Sequence, residues 1–135
     1  MTDPRTRPDY GRIVKLLLLT GQRREEIGSL RWSEIDDGDE ALIALPGSRT
    51  KNSRPHDVPL SDMALAVLKD QKRIDGRDLV FGSGDGGYSG WSRSKAALDK
   101  ACKVKGWTLH DLRRTCATGM ADLGVQPHII ATVLN

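Results

Sequence analysis

His110-Asp111-Leu112-Arg113 places an imidazole and a guanidinium three positions apart. On a helical turn, positions i and i+3 share a face, so the pair can grip one anionic oxygen centre from one side. The arginine fork is permanently charged and makes bidentate contacts with phosphate. The imidazole can donate a hydrogen bond or move a proton near neutral pH. Two further cationic stretches lie upstream. One is Gly21-Gln22-Arg23-Arg24-Glu25-Glu26; the other is the basic segment from Gly47 to Pro55, with Arg49, Lys51 and Arg54. Taken together, Arg23, Lys51, His110 and Arg113 suit a phosphodiester passing through a pentacoordinate transition state. Fixed donors aimed at its non-bridging oxygens stabilise the charge that develops there. A lysine on a hairpin tip can protonate a departing 5′ oxygen. No Asp/Glu cluster offers an evident metal site, and two arginines can neutralise the charge that divalent ions would otherwise meet.

Helices must carry most of these groups. Ile13, Leu16 and Leu17 fall at helical spacing from Tyr10 onward, and Gly21 suits the C-cap. A second short helix holds Glu25, Glu26, Ile27 and Leu30. Ser33 to Asp37 reads as a polar turn. Ala41 to Pro46 and His56 to Leu60 read as two strands of a hairpin with Lys51 at its tip, the second strand edge-like because of its prolines. Ser61 is a good N-cap for a helix with Met63, Leu65, Val67 and Leu68. Leu79-Val80-Phe81 reads as a short third strand. Gly82 to Gly90 reads as a mobile surface loop, since it lacks the Gly-Lys-Ser/Thr of a phosphate-binding P-loop. Ser92 opens another helix, Thr108 caps the one bearing His110 and Arg113, and Gln126-Pro127 starts the last.

The 135 residues are enough for one core, and 29% charged with 38% hydrophobic residues describes a globular chain. A net charge of +3 permits a polyanionic partner without demanding one. Cys102 and Cys116 have no metal-ligand spacing and read as reduced thiols. The longest apolar run, Leu16 to Leu19, is too short to span a membrane, and no targeting segment is evident.

Three boxes of this chain resemble, in order and spacing, those of the tyrosine recombinases, the phage-type integrases. Thr20 to Ile27 followed by Leu30 to Asp36 resembles the first-arginine box. Thr50-Lys51-Asn52 followed by His56 to Ser61 is similar to the lysine hairpin. Leu109 to Thr115 with Leu123-Gly124-Val125 is similar to the HxxR box and the run after it. The resemblance implies an α+β, mainly α-helical catalytic domain with a small antiparallel sheet near residues 34–60 and 79–81. Residues 1–9 would be a flexible segment, and 10–135 the domain, C-terminally incomplete. It also implies roles. Arg23 and Arg113 would bind the scissile phosphate, Lys51 would act as general acid, His110 would assist both, and Glu26 would orient the site from behind. Arg24, Arg49 and Arg54 are candidates for DNA-backbone contacts. No metal or nucleotide cofactor is implied. The implied partner is double-stranded DNA, with the parent protein a homotetramer on it, cytoplasmic, DNA-associated and bacterial or phage-encoded.

One departure matters. The family's nucleophilic tyrosine follows the HxxR box, and no tyrosine follows Arg113; Tyr10 and Tyr88 are the chain's two. The chain as given is therefore expected to be inactive in cleavage, with strand exchange through a 3′-phosphotyrosyl link belonging to the parent protein. A relaxing topoisomerase uses the same phosphate chemistry. A DNA-binding or regulatory module that cuts nothing is the alternative from another class, and a metal-dependent nuclease a third. Simpler readings stand beside these. Glu26 can pair with a helix-face cation, Asp111 can brace its helix start, and His56 and His128 can be structural. Trp32, Trp91 and Trp107 can be packing residues, with Trp91 also placed to approach DNA.

Overall fold

The computed structural model describes residues 8–135; the stretch 1–7, most of the expected flexible segment, lies outside the described residues. Helix α1 (Pro8–Thr20) starts two residues before the pattern visible from Tyr10. Proline fits a first helical turn, where its missing N–H is no loss. Asp9 is anchored: its carboxylate accepts from Gln71 Nε2 at 3.0 Å and from the Gly82 N–H at 2.8 Å. One face of α1 buries Tyr10, Ile13, Leu16, Leu17 and Thr20. Gly21 then adopts φ +68° and its N–H donates to the Leu17 carbonyl at 2.9 Å, the expected C-cap.

Helix α2 (Arg24–Gly28) and a 3-10 turn at Trp32–Glu34 lead into strands β1 (Ile35–Asp36), β2 (Leu42–Leu45) and β3 (His56–Pro59). They form one antiparallel sheet in the order β1-β2-β3. The hairpin is as expected, its last pair before the tip being Leu45 with His56. Two expectations are corrected. Ile35–Asp36, read as a turn, pairs with Leu42 and Ile43 as the third strand. Leu79–Phe81 does not join the sheet. Its strand-like pairing is confined to the stretch beside Leu30–Trp32, through one Arg31–Leu79 bridge and bonds from Val80 N to Leu30 O (2.8 Å) and Trp32 N to Asp78 O (2.7 Å). The 3-10 turn that begins at Trp32 curls the partner segment away, so no ladder can extend. Leu79, Val80 and Phe81 are buried all the same.

Four more helices follow: α3 (Asp62–Lys69), α4 (Trp91–Cys102), α5 (Leu109–Asp122) and α6 (Pro127–Leu134). Ser61 Oγ caps α3 as expected, accepting from Ala64 N at 3.2 Å. Helix α1 is the centre of the packing and touches α2, α3 and α5. Its buried face meets Ile27, Leu30, Ile43, Val58, Leu68 and Phe81 in a single core. That burial holds the first-arginine turn, the hairpin and α5 in one frame.

The glycine-rich loop is tied down rather than loose. Arg77 Nε donates to Gly84 O, Nη1 to Leu79 O, and Nη2 to both Phe81 O and Gly86 O, all at 2.9 Å. Gly87 lies so close to Ser29 and the Gly28 carbonyl that a Cβ would sit 2.6 Å from that oxygen. Arg77→Ala is expected to cost about 1–3 kcal/mol, since one charged group serves several carbonyls that water can partly recover. Urea unfolding measures this; an unchanged midpoint would mean the loop contributes nothing to stability.

Candidate functional site

Arg23 stands at the N-cap of α2 in extended conformation, and its N–H donates to Glu26 Oε1 at 3.0 Å. This half of a capping box, with the glutamate three residues on, is what the Arg23…Glu26 spacing provides. Glu26 is buried to 2% exposure beneath it. Arg113, on α5, enters from the opposite side and donates through Nη1 to the Gly21 carbonyl at 2.8 Å, 92 residues away in sequence. Gly21 thus has two tasks. It turns the chain at positive φ, and its bare Cα admits α5 and α6: a Cβ there would meet Cys116 Sγ at 3.1 Å and Leu134 Cδ2 at 2.3 Å.

The two arginines lie close enough to feel each other. Burial lowers the Arg113 pKa, the Arg23 charge lowers it further, and Glu26 opposes them. Arg23 Nη1 and Glu26 Oε2 are both buried without a hydrogen-bond partner among the described residues, while Arg23 Nη2 reaches the Asn135 carbonyl at 3.3 Å. Paired guanidiniums with spare donors form a site that an anion would relieve. One turn earlier on α5, His110 is exposed on the same face as Arg113. Its helix is braced by Asp111, whose carboxylate accepts from Thr108 N at 2.8 Å; that bond holds the Asp111 pKa below the usual carboxylate value. Asp111 is therefore a brace at the helix start.

All four candidate groups line one cleft of about 830 Å³: Arg23, Lys51, His110 and Arg113, with Glu26 in its wall. Lys51 is exposed at the hairpin tip, near enough to Glu25 for its charge to bear on that carboxylate. The three backbone candidates part company. Arg24 faces the cleft, ion-paired to Glu25 at 2.8 Å and 5.6 Å from the Trp91 ring centre. Arg49 lines the cleft but is committed inward: it grips Glu34 through Nε (2.9 Å) and Nη2 (3.1 Å), and Nη2 also donates to the Glu26 carbonyl at 3.0 Å. It fastens the hairpin to α2. Arg54 is exposed and outside the cleft.

Sequence reasoning missed Lys95 and Trp107 in the wall. Lys95 Nζ sits 4.2 Å over the Trp107 ring and pairs with Asp99 at 2.7 Å. The i,i+4 spacing of Lys95 and Asp99 was a legible signal; the meeting with Trp107 across the turn after α4 was not. Trp91 both packs and lines the cleft, its ring edge-on to Tyr88 at 5.0 Å and Tyr10 at 6.4 Å. Both tyrosines are core residues. Tyr10 is fully buried, with its pKa pushed up to about 12 by burial and by neighbouring Tyr88 and Asp99. Tyr88 is 6% exposed and its hydroxyl bonds Ser94. Neither faces the cleft.

The model of the phage integrase family matches residues 6–135. The chain belongs to the phage integrase family. Prophage integrase IntA of Escherichia coli K12 is 34% identical over 120 residues, 87% of this chain and 29% of that protein. Prophage integrase IntZ of the same strain is 35% identical over 116 residues, 82% of this chain and 28% of the relative. The chain thus spans less than a third of these integrases' length. Among solved structures, the XerH site-specific recombinase bound to its difH substrate superposes with a TM-score of 0.73 at 16% identity, over 99% of this chain and 41% of that one. XerA recombinase gives 0.70 at 20% identity, over 98% and 57%. The integrase fold is therefore the recombinase catalytic-domain fold, mainly helical with a small antiparallel sheet. No helix among the described residues is long and apolar enough to cross a membrane.

Proposed function

We propose that this integrase domain binds the scissile phosphate of double-stranded DNA and supplies the phosphate chemistry of site-specific recombination in its parent protein. The observation that carries this is the convergence of Arg23, Lys51, His110 and Arg113 on one cleft, where burial and then the Arg23 charge lower the Arg113 pKa. Arg23 and Arg113 hold the non-bridging oxygens, where charge grows as the phosphorus becomes pentacoordinate. Glu26 restrains Arg23 through the α2 N-terminus. Lys51 gives its proton to the departing 5′ oxygen, and His110 donates to the phosphate and assists proton transfer. A tyrosine downstream of α6 would attack, leaving a 3′-phosphotyrosyl link; this conserves the bond energy, so rejoining needs no nucleotide. The relatives are prophage integrases and the XerH site-specific recombinase structure is bound to its difH substrate, which supports the DNA partner. Assembly of the parent as a homotetramer on DNA in the cytoplasm rests on the resemblance alone.

A second reading has its own observation. Both tyrosines are buried in the core, which supports reading the 135 residues by themselves as a DNA-binding module that cuts nothing. The test uses both forms. Fluorescence anisotropy of the 135-residue chain on duplex DNA should show affinity falling steeply with salt, roughly 0.9 in log–log slope per phosphate neutralised, with no covalent adduct. A protein carrying the downstream tyrosine should trap a covalent adduct on a nicked suicide duplex, in EDTA. Cleavage that requires magnesium would sink the metal-free mechanism. Binding without any adduct in the tyrosine-bearing protein would leave the non-cutting module in possession.

A further inference from the structure

Four hydrogen bonds gather at the last turn of α6. The Val133 carbonyl accepts from Gln22 Nε2 at 2.9 Å and faces His56 Nε2 at 2.9 Å. A carbonyl can only accept, so His56 carries its ring hydrogen on Nε2 and donates. Beside them, Asn52 Nδ2 donates to Asn135 Oδ1 at 2.7 Å, and Arg23 Nη2 to the Asn135 carbonyl at 3.3 Å. The last carbonyls of a helix have no partner within it, so outside donors fix where that end lies. Two of these donors, Gln22 and Arg23, come from the turn after α1. The other two, Asn52 and His56, come from the lysine hairpin. His56 is the first residue of β3 after the tip and is paired with Leu45; Asn52 is next to Lys51 within the tip.

We propose that the end of α6 is a strut between the Arg23 turn and the hairpin tip, with His56 the positioning residue that holds Lys51 at its working distance from the arginines. The tip needs such a hold. Residues 51–55 are all exposed, and apart from the Asn52–Asn135 bond they are held by short-range bonds such as Ser53 N to Thr50 O at 3.3 Å and Arg54 N to Asn52 Oδ1 at 3.1 Å. Arg49 pins the near side of the tip to α2, and His56 pins the far side to α6. The loop that carries Lys51 is thereby clamped at both feet. His56 lies outside the lining of the cleft and acts through the hairpin. The coupling stands on geometry alone, while its effect on Lys51 as general acid rests on the function proposed above.

Hydrogen exchange on the 135-residue chain tests the strut directly. In His56→Ala and His56→Phe, the amides of Ser53, Arg54 and Asn135 should exchange at least tenfold faster, while those of α1 and α3 hold their rates. His56→Gln, whose amide can still donate, should restore protection. Unchanged rates at Ser53 and Arg54, or an equal rise at every amide, would overturn the proposal. In a tyrosine-bearing protein, His56→Ala should slow cleavage of ordinary DNA by about 10- to 100-fold, as small misplacements of a reacting group do. It should leave a 5′-bridging phosphorothiolate nearly unaffected, because a thiolate departs without a proton. Equal loss on both substrates would refute the link to Lys51. A parent that cleaves neither substrate would count against the recombinase reading, and the exchange result would still decide the strut.

Discussion

Arg113→Ala, placed in a protein that carries the downstream tyrosine, is expected to lower the rate of covalent adduct formation by about 10²–10³-fold, the usual cost of one preorganised donor to a developing oxyanion. Arg23→Ala should fall in the same range. The double variant should lose less than the product of the two, because both arginines serve one phosphate and residues acting as a unit are not additive. DNA affinity should drop only modestly for either, with the salt slope shallower by about one phosphate. The asymmetry follows from geometry. In the free protein, Arg113 spends one donor on the Gly21 carbonyl, and Arg23 keeps Nη1 buried without a partner. Burial and then the Arg23 charge lower the Arg113 pKa, and an anion bound between them would offset both. Quench-flow measurement of adduct formation, with anisotropy on the same duplex, separates the two effects. Equal losses in binding and cleavage would assign these arginines to general DNA attachment.

The largest expected loss of stability comes from Arg49, which the sequence offered as a DNA contact. Its side chain is 18% exposed and its partner Glu34 only 8%. Arg49→Ala leaves a carboxylate buried without its cation, expected to cost about 3–5 kcal/mol. Glu34 Oε1 also accepts from the Arg31 N–H at 2.9 Å, which moderates the loss without replacing a guanidinium. Replacing both partners with apolar residues, Arg49→Met with Glu34→Leu, should cost clearly less than the single change, because no charge is then stranded. Urea unfolding of the three variants reads this out. A loss below about 1 kcal/mol for Arg49→Ala, the range of exposed ion pairs, would return Arg49 to the DNA-facing candidates. Since Arg49 also holds the Glu26 carbonyl, its loss should loosen the hairpin foot even where the protein stays folded.

Several elements were legible before any coordinates. The buried stripe of α1, the Gly21 cap, the Ser61 cap and the β2–β3 hairpin all stand where residue spacing placed them. These are local features, set by interactions within a few residues of each other, and local periodicity carries them. The third strand was misplaced for the opposite reason. Leu79-Val80-Phe81 is as apolar as any strand, but its neighbour turns at Trp32, while the polar Ile35–Asp36 finds a partner in β2. The hold on the glycine-rich loop was not legible in the sequence, because its bonds to Gly84 O and Gly86 O come from one side chain, Arg77, which only the folded path brings into reach.

For the site, residue types and spacing alone determined that an arginine at 23, a lysine at 51 and a histidine–arginine pair at 110 and 113 could do phosphate chemistry, and the order of those boxes determined the family. Which cations remain free to do it was decided only by tertiary structure. Arg49 and Arg113 are the same residue type with the same intrinsic charge; one is spent on a buried carboxylate, the other faces a second guanidinium across a cleft. His56, likewise, has no partner in the sequence pattern and meets the Val133 carbonyl 77 residues away. Partnerships at such separations depend on how α1, α5, α6 and the hairpin pack around a shared core, and packing is a property of the whole chain.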